Sequence, residues 1–387
     1  MLNMREKQAL TSQVVRRYLR ARKKEKGRIL NEFVENTGYN RSYARRVIRS
    51  AKDKDFRRRR KVTRIRPVKY DQVFLPHLVD LWKISYFMCG KRLVPILPEY
   101  LFSLERDGER TYPSEIKAKL LSISAATVDR LLKKERKKQT IKGRSLTKPG
   151  TLLKHQIPIR TWSEWDDSRP GYFETDTVAF GGGDPNGHYV WGLDLTDVAT
   201  GWVLLDAVMG KGQWGIHQAI DEGKDRLVYR MLGLDSDSGA EFINNILWRY
   251  CEFHKINFTR TRPGRKNDNC FVEQKNYTTL RAFLGYGRYD TEEHLAVIKE
   301  LLKLVEIYIN FFQSSAKLKD KVRLGAKVVK HHDQATTPYK RLCRSGILSS
   351  KQRRVLARVY NSHNPLELMV KITKLQDKLR RIGSVTN

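Results

Sequence analysis

The chain is 387 residues long, enough for two or three domains and a substantial core. Lys and Arg outnumber Asp and Glu by 76 to 42, giving a formal charge of +34, which points to a polyanionic partner such as nucleic acid. The composition speaks against a secreted disulfide scaffold and a membrane protein: Cys89, Cys251, Cys270 and Cys343 are scattered without a CxxC pair, there is no long apolar run, and "MLNMREKQAL" lacks a secretory apolar stretch.

Cys251 and His254 have no second ligand pair at finger-like spacing, so the thiols read as free in a reducing cytosol. The expectation is a soluble cytoplasmic protein with no membrane partner. Charge is unevenly spread. Residues 171–290 hold 13 Lys or Arg against 16 Asp or Glu, so the flanks carry the whole excess.

Residues 1–60 read as helices. Ile29, Leu30, Phe33 and Val34 form one apolar stripe, Gly38 interrupts it, and Tyr43, Ala44, Val47 and Ile48 form a second. Two short helices joined at a glycine suggest a helix-turn-helix whose second helix presents Arg41, Arg45, Arg46 and Arg49 to phosphates and bases. The run "FRRRRKVTRIRPVKY", with Arg57, Arg58, Arg59 and Arg60, reads as a basic linker.

A second helical block over 61–138 repeats the form. Ile116, Leu120 and Leu121 precede a turn at Ser122–Ser124, and Ala125, Val128, Leu131 and Leu132 follow. Ser124 suits an N-cap, and Arg130, Lys133 and Lys134 are its expected DNA contacts. Residues 139–170, with Pro149, Pro158 and Pro170, read as a tether.

From 171 the period shortens to two. "YFETDTVAF", "HYVWGLDLTDV" and "TGWVLLDAVM" predict three consecutive antiparallel strands. A helix over roughly 213–230, a strand near 231–236, a helix in "AEFINNILWRYCEFHK", the strand "INFTRT" and helices near 268–285 and 292–313 complete a mixed sheet covered by helices, the core domain being 171–315. Residues 316–387 read as a basic, mostly helical region whose role is open between assembly and DNA contact.

Three acidic positions stand out in the core: Asp176 within the first strand, Asp237 just past the fourth, and Glu273 in the first turns of a helix. A carboxylate in a sheet strand is costly unless paired or metal-bound. Alternation puts Glu174 on the face of Asp176 and Asp235 on the face of Asp237, so periodicity does not choose between them. Asp237 lies nearest the strand end, before the Gly239 turn; Glu241 reads as a partner of the next helix's dipole, and Asp268 as a cap of the helix carrying Glu273. On that helix Asn269, Glu273, Asn276 and Tyr277 share a face, and Arg265, Lys266 and Lys275 lie close enough to contact a phosphate backbone.

The blocks "ETDTV" at 174–178, "DSDSGAEF" at 235–242 and "RPGRKNDNCFVEQKN" at 262–276 resemble those of DDE transposases and retroviral integrases, with 35 residues between Asp237 and Glu273 as in the D,D-35-E pattern. The stretch 143–345 is similar to bacterial insertion-sequence transposases, with Ser238 standing where the family usually has asparagine. The resemblance implies an α/β fold: a ribonuclease H-like mixed-sheet catalytic core preceded by all-α helix-turn-helix DNA-binding domains. It implies Asp176, Asp237 and Glu273 as catalytic metal ligands for two Mg²⁺ ions, with Mn²⁺ as a substitute. It also implies cleavage and joining of DNA strands, with transposon terminal inverted repeats and target DNA as partners and a homo-oligomer formed on DNA. The alternative is a catalytically silent, sequence-specific DNA-binding regulator that keeps the integrase scaffold.

Overall fold

The computed structural model describes residues 2–51, 69–137, 168–237, 239–261, 272, 275–324 and 327–385. The chain divides into two compact units, Met1–Val68 and Lys69–Asn387.

The first unit contains α1 (Met4–Arg20), α2 (Lys23–Thr37) and α3 (Arg41–Ser50). Asn3 starts α1 through a reciprocal cap, its side chain accepting the Glu6 amide while the Glu6 carboxylate accepts the Asn3 amide at 2.7 Å. Gly38, at φ 69°, ends α2 in the left-handed region that glycine enters without a Cβ penalty. Two residues on, the Asn40 side chain accepts the Tyr43 amide at 2.7 Å and starts α3. The stripes predicted around this turn meet in one small core of Val14, Val15, Ile29, Leu30, Phe33, Ala44 and Ile48.

The second unit begins with α4 (Phe74–Ile84), α5 (Gly90–Leu93), α6 (Leu97–Arg106), α7 (Ser114–Ser122), α8 (Ala125–Leu131) and α9 (Lys133–Arg136). The predicted turn between α7 and α8 is present, with Ser124 accepting the Thr127 amide. These helices do not bury their apolar faces only on one another. Tyr100 donates to the Phe312 carbonyl at 2.8 Å, Tyr308 donates to the Ile84 carbonyl at 2.8 Å, and Tyr86 stacks on Phe283 at 4.1 Å. The block expected as a domain of its own over 61–138 therefore shares one apolar core with the sheet.

The sheet has β1 (Tyr172–Ala179), β2 (Val190–Asp197), β3 (Val203–Met209), β4 (Gly233–Ser236) and β5 (Asn257–Arg260) in the order β3-β2-β1-β4-β5. The first three strands are antiparallel, as their alternation and short connections predict, and β4 and β5 run parallel to β1. The parallel crossovers are α10 (Gln213–Asp225) and α11 (Asn245–Phe253). A π-helical turn, Tyr277–Arg281, and the short α12 (Ala282–Leu284) precede α13 (Glu292–Phe312).

α13 closes the free edge of β3. The Asn310 amide group accepts from the Val203 N–H and donates to its carbonyl, both at 2.8 Å, and Glu306 accepts the Leu205 N–H at 2.8 Å. Arg226 satisfies the Leu205 carbonyl at 3.1 Å. An exposed row of strand amides invites pairing with other chains, and these side chains occupy it.

Beyond α13 an antiparallel hairpin, β6 (Leu318–Leu324) and β7 (Lys327–His332), forms a separate two-stranded sheet, followed by α14 (Pro338–Arg344), α15 (Ser350–Asn361) and α16 (Pro365–Val385). Among the described residues of 316–387 three helices follow the hairpin, which the sequence reading does not include. Among the described residues no helix is long and apolar enough to cross a membrane.

Candidate active site

One face of the sheet is lined with carboxylates, and the register of its strands explains why. β1 and β4 pair in parallel with Glu174 beside Asp235 and Thr175 beside Ser236. The next residue of β1 is Asp176, and the residue that follows β4 is Asp237. On the other side of β1, Asp176 is opposite Asp194 of β2. In-register neighbours point to the same face, so five acidic side chains share it.

Burial separates them. Glu174, Asp194 and Asp235 are fully buried, whereas Asp176 and Asp237 are partly accessible. The buried three have donors: Glu174 accepts the Val272 N–H at 3.1 Å, Asp235 accepts the Thr259 hydroxyl at 2.6 Å, and Asp194 accepts the hydroxyls of Thr196 and Thr279 at 2.8 and 2.7 Å. Desolvation raises the Asp194 carboxyl above its ordinary value in spite of those bonds.

The segment bearing Val272, Asn276 and Thr279 is laid over this face by the same contacts. Asn276 donates to Asp176 at 2.7 Å, and Asp176 also accepts the Thr177 amide at 2.8 Å. Gly192 of β2 permits the close approach, since a Cβ there would lie 3.1 Å from Leu280. Glu273 itself lies outside the described residues, between Val272 and Asn276 in sequence. Its neighbours on either side bind Glu174 and Asp176.

Asp237 accepts the Gly239 amide at 2.9 Å. Its carboxyl is held above the ordinary aspartate value, first by desolvation and then by the nearby Glu241 charge, against the Gly239 hydrogen bond and Lys211. Glu241 does not open a helix as predicted. α11 starts at Asn245, capped by Asn244, because Asn244 and not Glu241 supplies the side-chain acceptor, for the Leu247 amide. Glu241 is instead buried under the Asp237 loop, accepting from Thr177 at 3.1 Å and Lys211 at 3.0 Å. A Cβ at Gly239 would lie 2.6 Å from that carboxyl group, so a larger residue there would push the Glu241 side chain aside.

The donor set suits a hard divalent cation: two partly accessible carboxylates, one on β1 and one just past β4, with oxygen ligands only, and burial and a neighbouring glutamate disfavour the charge of Asp237. Asn276 adds a buried Oδ1 with no partner among the described residues. Those residues contain no group of three or more His, Cys, Asp or Glu placed to hold a metal, and the expected third carboxylate, Glu273, is not one of them.

The expected DNA contacts are distributed as follows. Arg41, Arg45, Arg46 and Arg49 are exposed on α3, with the Arg46 guanidinium 5.0 Å from the Tyr43 ring centre. Arg130, Lys133 and Lys134 are exposed around α8 and α9. Lys275 is only half-buried by area, yet desolvation lowers its ammonium from the ordinary lysine value, with Asp194 opposing and Arg92, Arg341 and Lys317 reinforcing the shift. Arg57, Arg58, Arg59, Arg60, Arg265 and Lys266 lie outside the described residues. Sequence reasoning missed Asp194 and Thr279; pairing the predicted β1 and β2 residue by residue would have found the first.

Among solved structures, the catalytic core domain of BIV integrase is similar at 18% identity and a TM-score of 0.31, covering 45% of this chain and 95% of that one. At that level the strand order and register have to speak for the fold by themselves. No family model matches the chain. A Sinorhizobium fredii protein, named as the uncharacterized protein y4rM, is 35% identical over 340 residues, 88% of this chain and 96% of that protein. With that identity sustained over nearly the whole of both proteins, the chain belongs to the family of y4rM.

Proposed function

We propose that the protein is a DNA transposase of the DDE type, with a ribonuclease H-like core that cleaves and joins DNA strands at the Asp176–Asp237 face. The observation that carries the reading is the β1–β4 register, Glu174 beside Asp235 and Thr175 beside Ser236, with the partly accessible carboxylates Asp176 and Asp237 the next residue on each chain segment and Asn276 bonded to Asp176. The order β3-β2-β1-β4-β5, with an antiparallel meander and two parallel additions, supports the core assignment.

Asp176, Asp237 and Glu273 would hold a Mg²⁺ pair, or Mn²⁺ in its place, which supplies activation of the attacking oxygen and charge stabilisation of the leaving oxygen at phosphorus. The chain's own residues do the positioning. Asn276 orients the Asp176 carboxylate, the Gly239 amide orients Asp237, and Glu241 with Lys211 supports the loop between them. The two accessible carboxylates serve as ligands and not as general acids or bases. In the first unit α2, its Gly38 turn and α3 form a helix-turn-helix that reads the element's terminal inverted repeats through Arg41, Arg45, Arg46 and Arg49. Two ends must be brought together, so the working form is a homo-oligomer on DNA.

The test is strand cleavage and strand transfer by purified protein on a duplex bearing its own element's ends. Asp176→Asn and Asp237→Asn should each abolish Mg²⁺-dependent product, by about 10³-fold or more on the scale of lost electrostatic stabilisation, while end binding persists. Binding without any metal-dependent product from the wild-type chain would instead establish the silent regulator.

A further inference from the structure

The β6–β7 hairpin is not absorbed by that reading. Residues 318–332 contain Lys319, Lys321, Arg323, Lys327 and Lys330 against a single acid, Asp320, together with His331 and His332. The side chains of Lys319, Arg323, Lys330, His331 and His332 are exposed, and so is Val322 at 43%. The two strands form a sheet of their own, with Lys321 paired to Lys330 and Arg323 to Val328. Like charges directly opposite destabilise a ladder, and a lone two-stranded hairpin is marginal in water. Such a ribbon gains stability when a polyanion lies against it.

Its root is fixed. The Lys317 amide donates to Asp333 at 2.6 Å, the Asp333 amide returns a bond to the Lys317 carbonyl at 2.8 Å, and Arg341 bridges Asp333 at 3.0 Å and the Ser315 carbonyl at 2.6 Å. The Lys317 ammonium donates to the carbonyls of Val198 and Ala199, in the turn that follows β2. The same turn approaches Lys275: a Cβ on Gly201 would lie 3.9 Å from the Lys275 ammonium and 3.9 Å from the Ser315 hydroxyl. The hairpin is thus rooted at the turn between β2 and β3, beside Lys275, with Asp194 four residues back along β2.

Resting on the DNA-processing reading, we infer that the β6–β7 ribbon is a DNA-contacting arm that enters the major groove of the duplex held at the acidic face. The charge is complementary, the B-DNA major groove admits a two-stranded ribbon, and seven residues of strand reach roughly 23 Å, enough to lie along it. The groove-facing residues are Lys319, Arg323 and Lys330.

The test uses the full chain carrying Lys319→Ala, Arg323→Ala and Lys330→Ala together, and duplex DNA with no divalent metal present. The slope of log affinity against log salt should become shallower by roughly 0.9 for each phosphate no longer neutralised, about two to three in all. Guanine N7 atoms that the wild type shields from dimethyl sulfate should become reactive, and the circular dichroism melt of the variant should match the wild type. As a check on folding, Arg323→Lys should keep the wild-type slope. An unchanged slope, unchanged guanine shielding, or equal competition by single-stranded RNA would each overturn the proposal. The measurement needs no chemistry, so an arm that behaves as stated with no Mg²⁺-dependent product would sink the transposase reading alone, and active protein with an unchanged slope would sink the arm alone.

Discussion

Five carboxylates share a sheet face, and a difference of exposure decides what each can do. Glu174, Asp194 and Asp235 are sealed in and accept from a backbone amide and three hydroxyls: Val272 and Thr279 come from the overlying segment, Thr259 from β5 and Thr196 from β2 itself. They act as polar struts. Asp176 and Asp237 keep access to solvent, so cation binding can relieve the cost of burying their charge. Glu306 shows what that cost does where no metal is expected. Burial raises its carboxyl above the ordinary value of 4.5 even though Arg226 lies at 3.1 Å and the Leu205 amide at 2.8 Å. The folded chain therefore holds this proton to higher pH than the unfolded chain does. Its contribution to stability is complete below 4.5 and is lost as pH climbs through the raised value. Urea midpoints measured across that window should fall with rising pH in the wild type, and the fall should be smaller in Glu306→Gln. The period of two showed which residues share the face but not which reach solvent, since exposure depends on a helix that arrives a hundred residues later.

At the scale of elements, the cap that α13 places on β3 is the most exacting contact. Asn310→Ala would leave the Val203 N–H and carbonyl buried without partners, at about 1–3 kcal/mol for each group. A chemical-denaturation curve should show that loss, with turbidity rising on warming because the strand amides are freed. β1, β2 and β3 were legible because apolar and polar residues alternate and Gly201, at φ 74°, marks the return between the last two. The hairpin was not. Its alternation in "KVRL" and "KVVK" is short, and lysine on both strands reads first as a charged surface. α7 and α8 were found with their turn, yet nothing local to "SEIKAKLLSISAATVDRLL" discloses that the block they belong to finishes its core on Tyr308 and Phe312, some two hundred residues away.

For the molecule as a whole, the formal charge of +34 falls largely outside the sheet region, which on the proposed function divides the labour between affinity and chemistry. The first unit has its own core, so its removal should leave the second unit folded. Protein beginning at Lys69 should lose about tenfold or more in affinity for an element end, with a shallower salt dependence, in a filter-binding titration. It should keep its full content of strand signal by circular dichroism. The border of the sheet at β3 also limits how copies can join. Because Asn310 and Glu306 already bond its Val203 and Leu205 amides, a strand from a neighbouring molecule would have to displace them to lengthen the sheet on that side. On the proposed function, doubling of the protein would then draw on helix surfaces or on a duplex gripped in common.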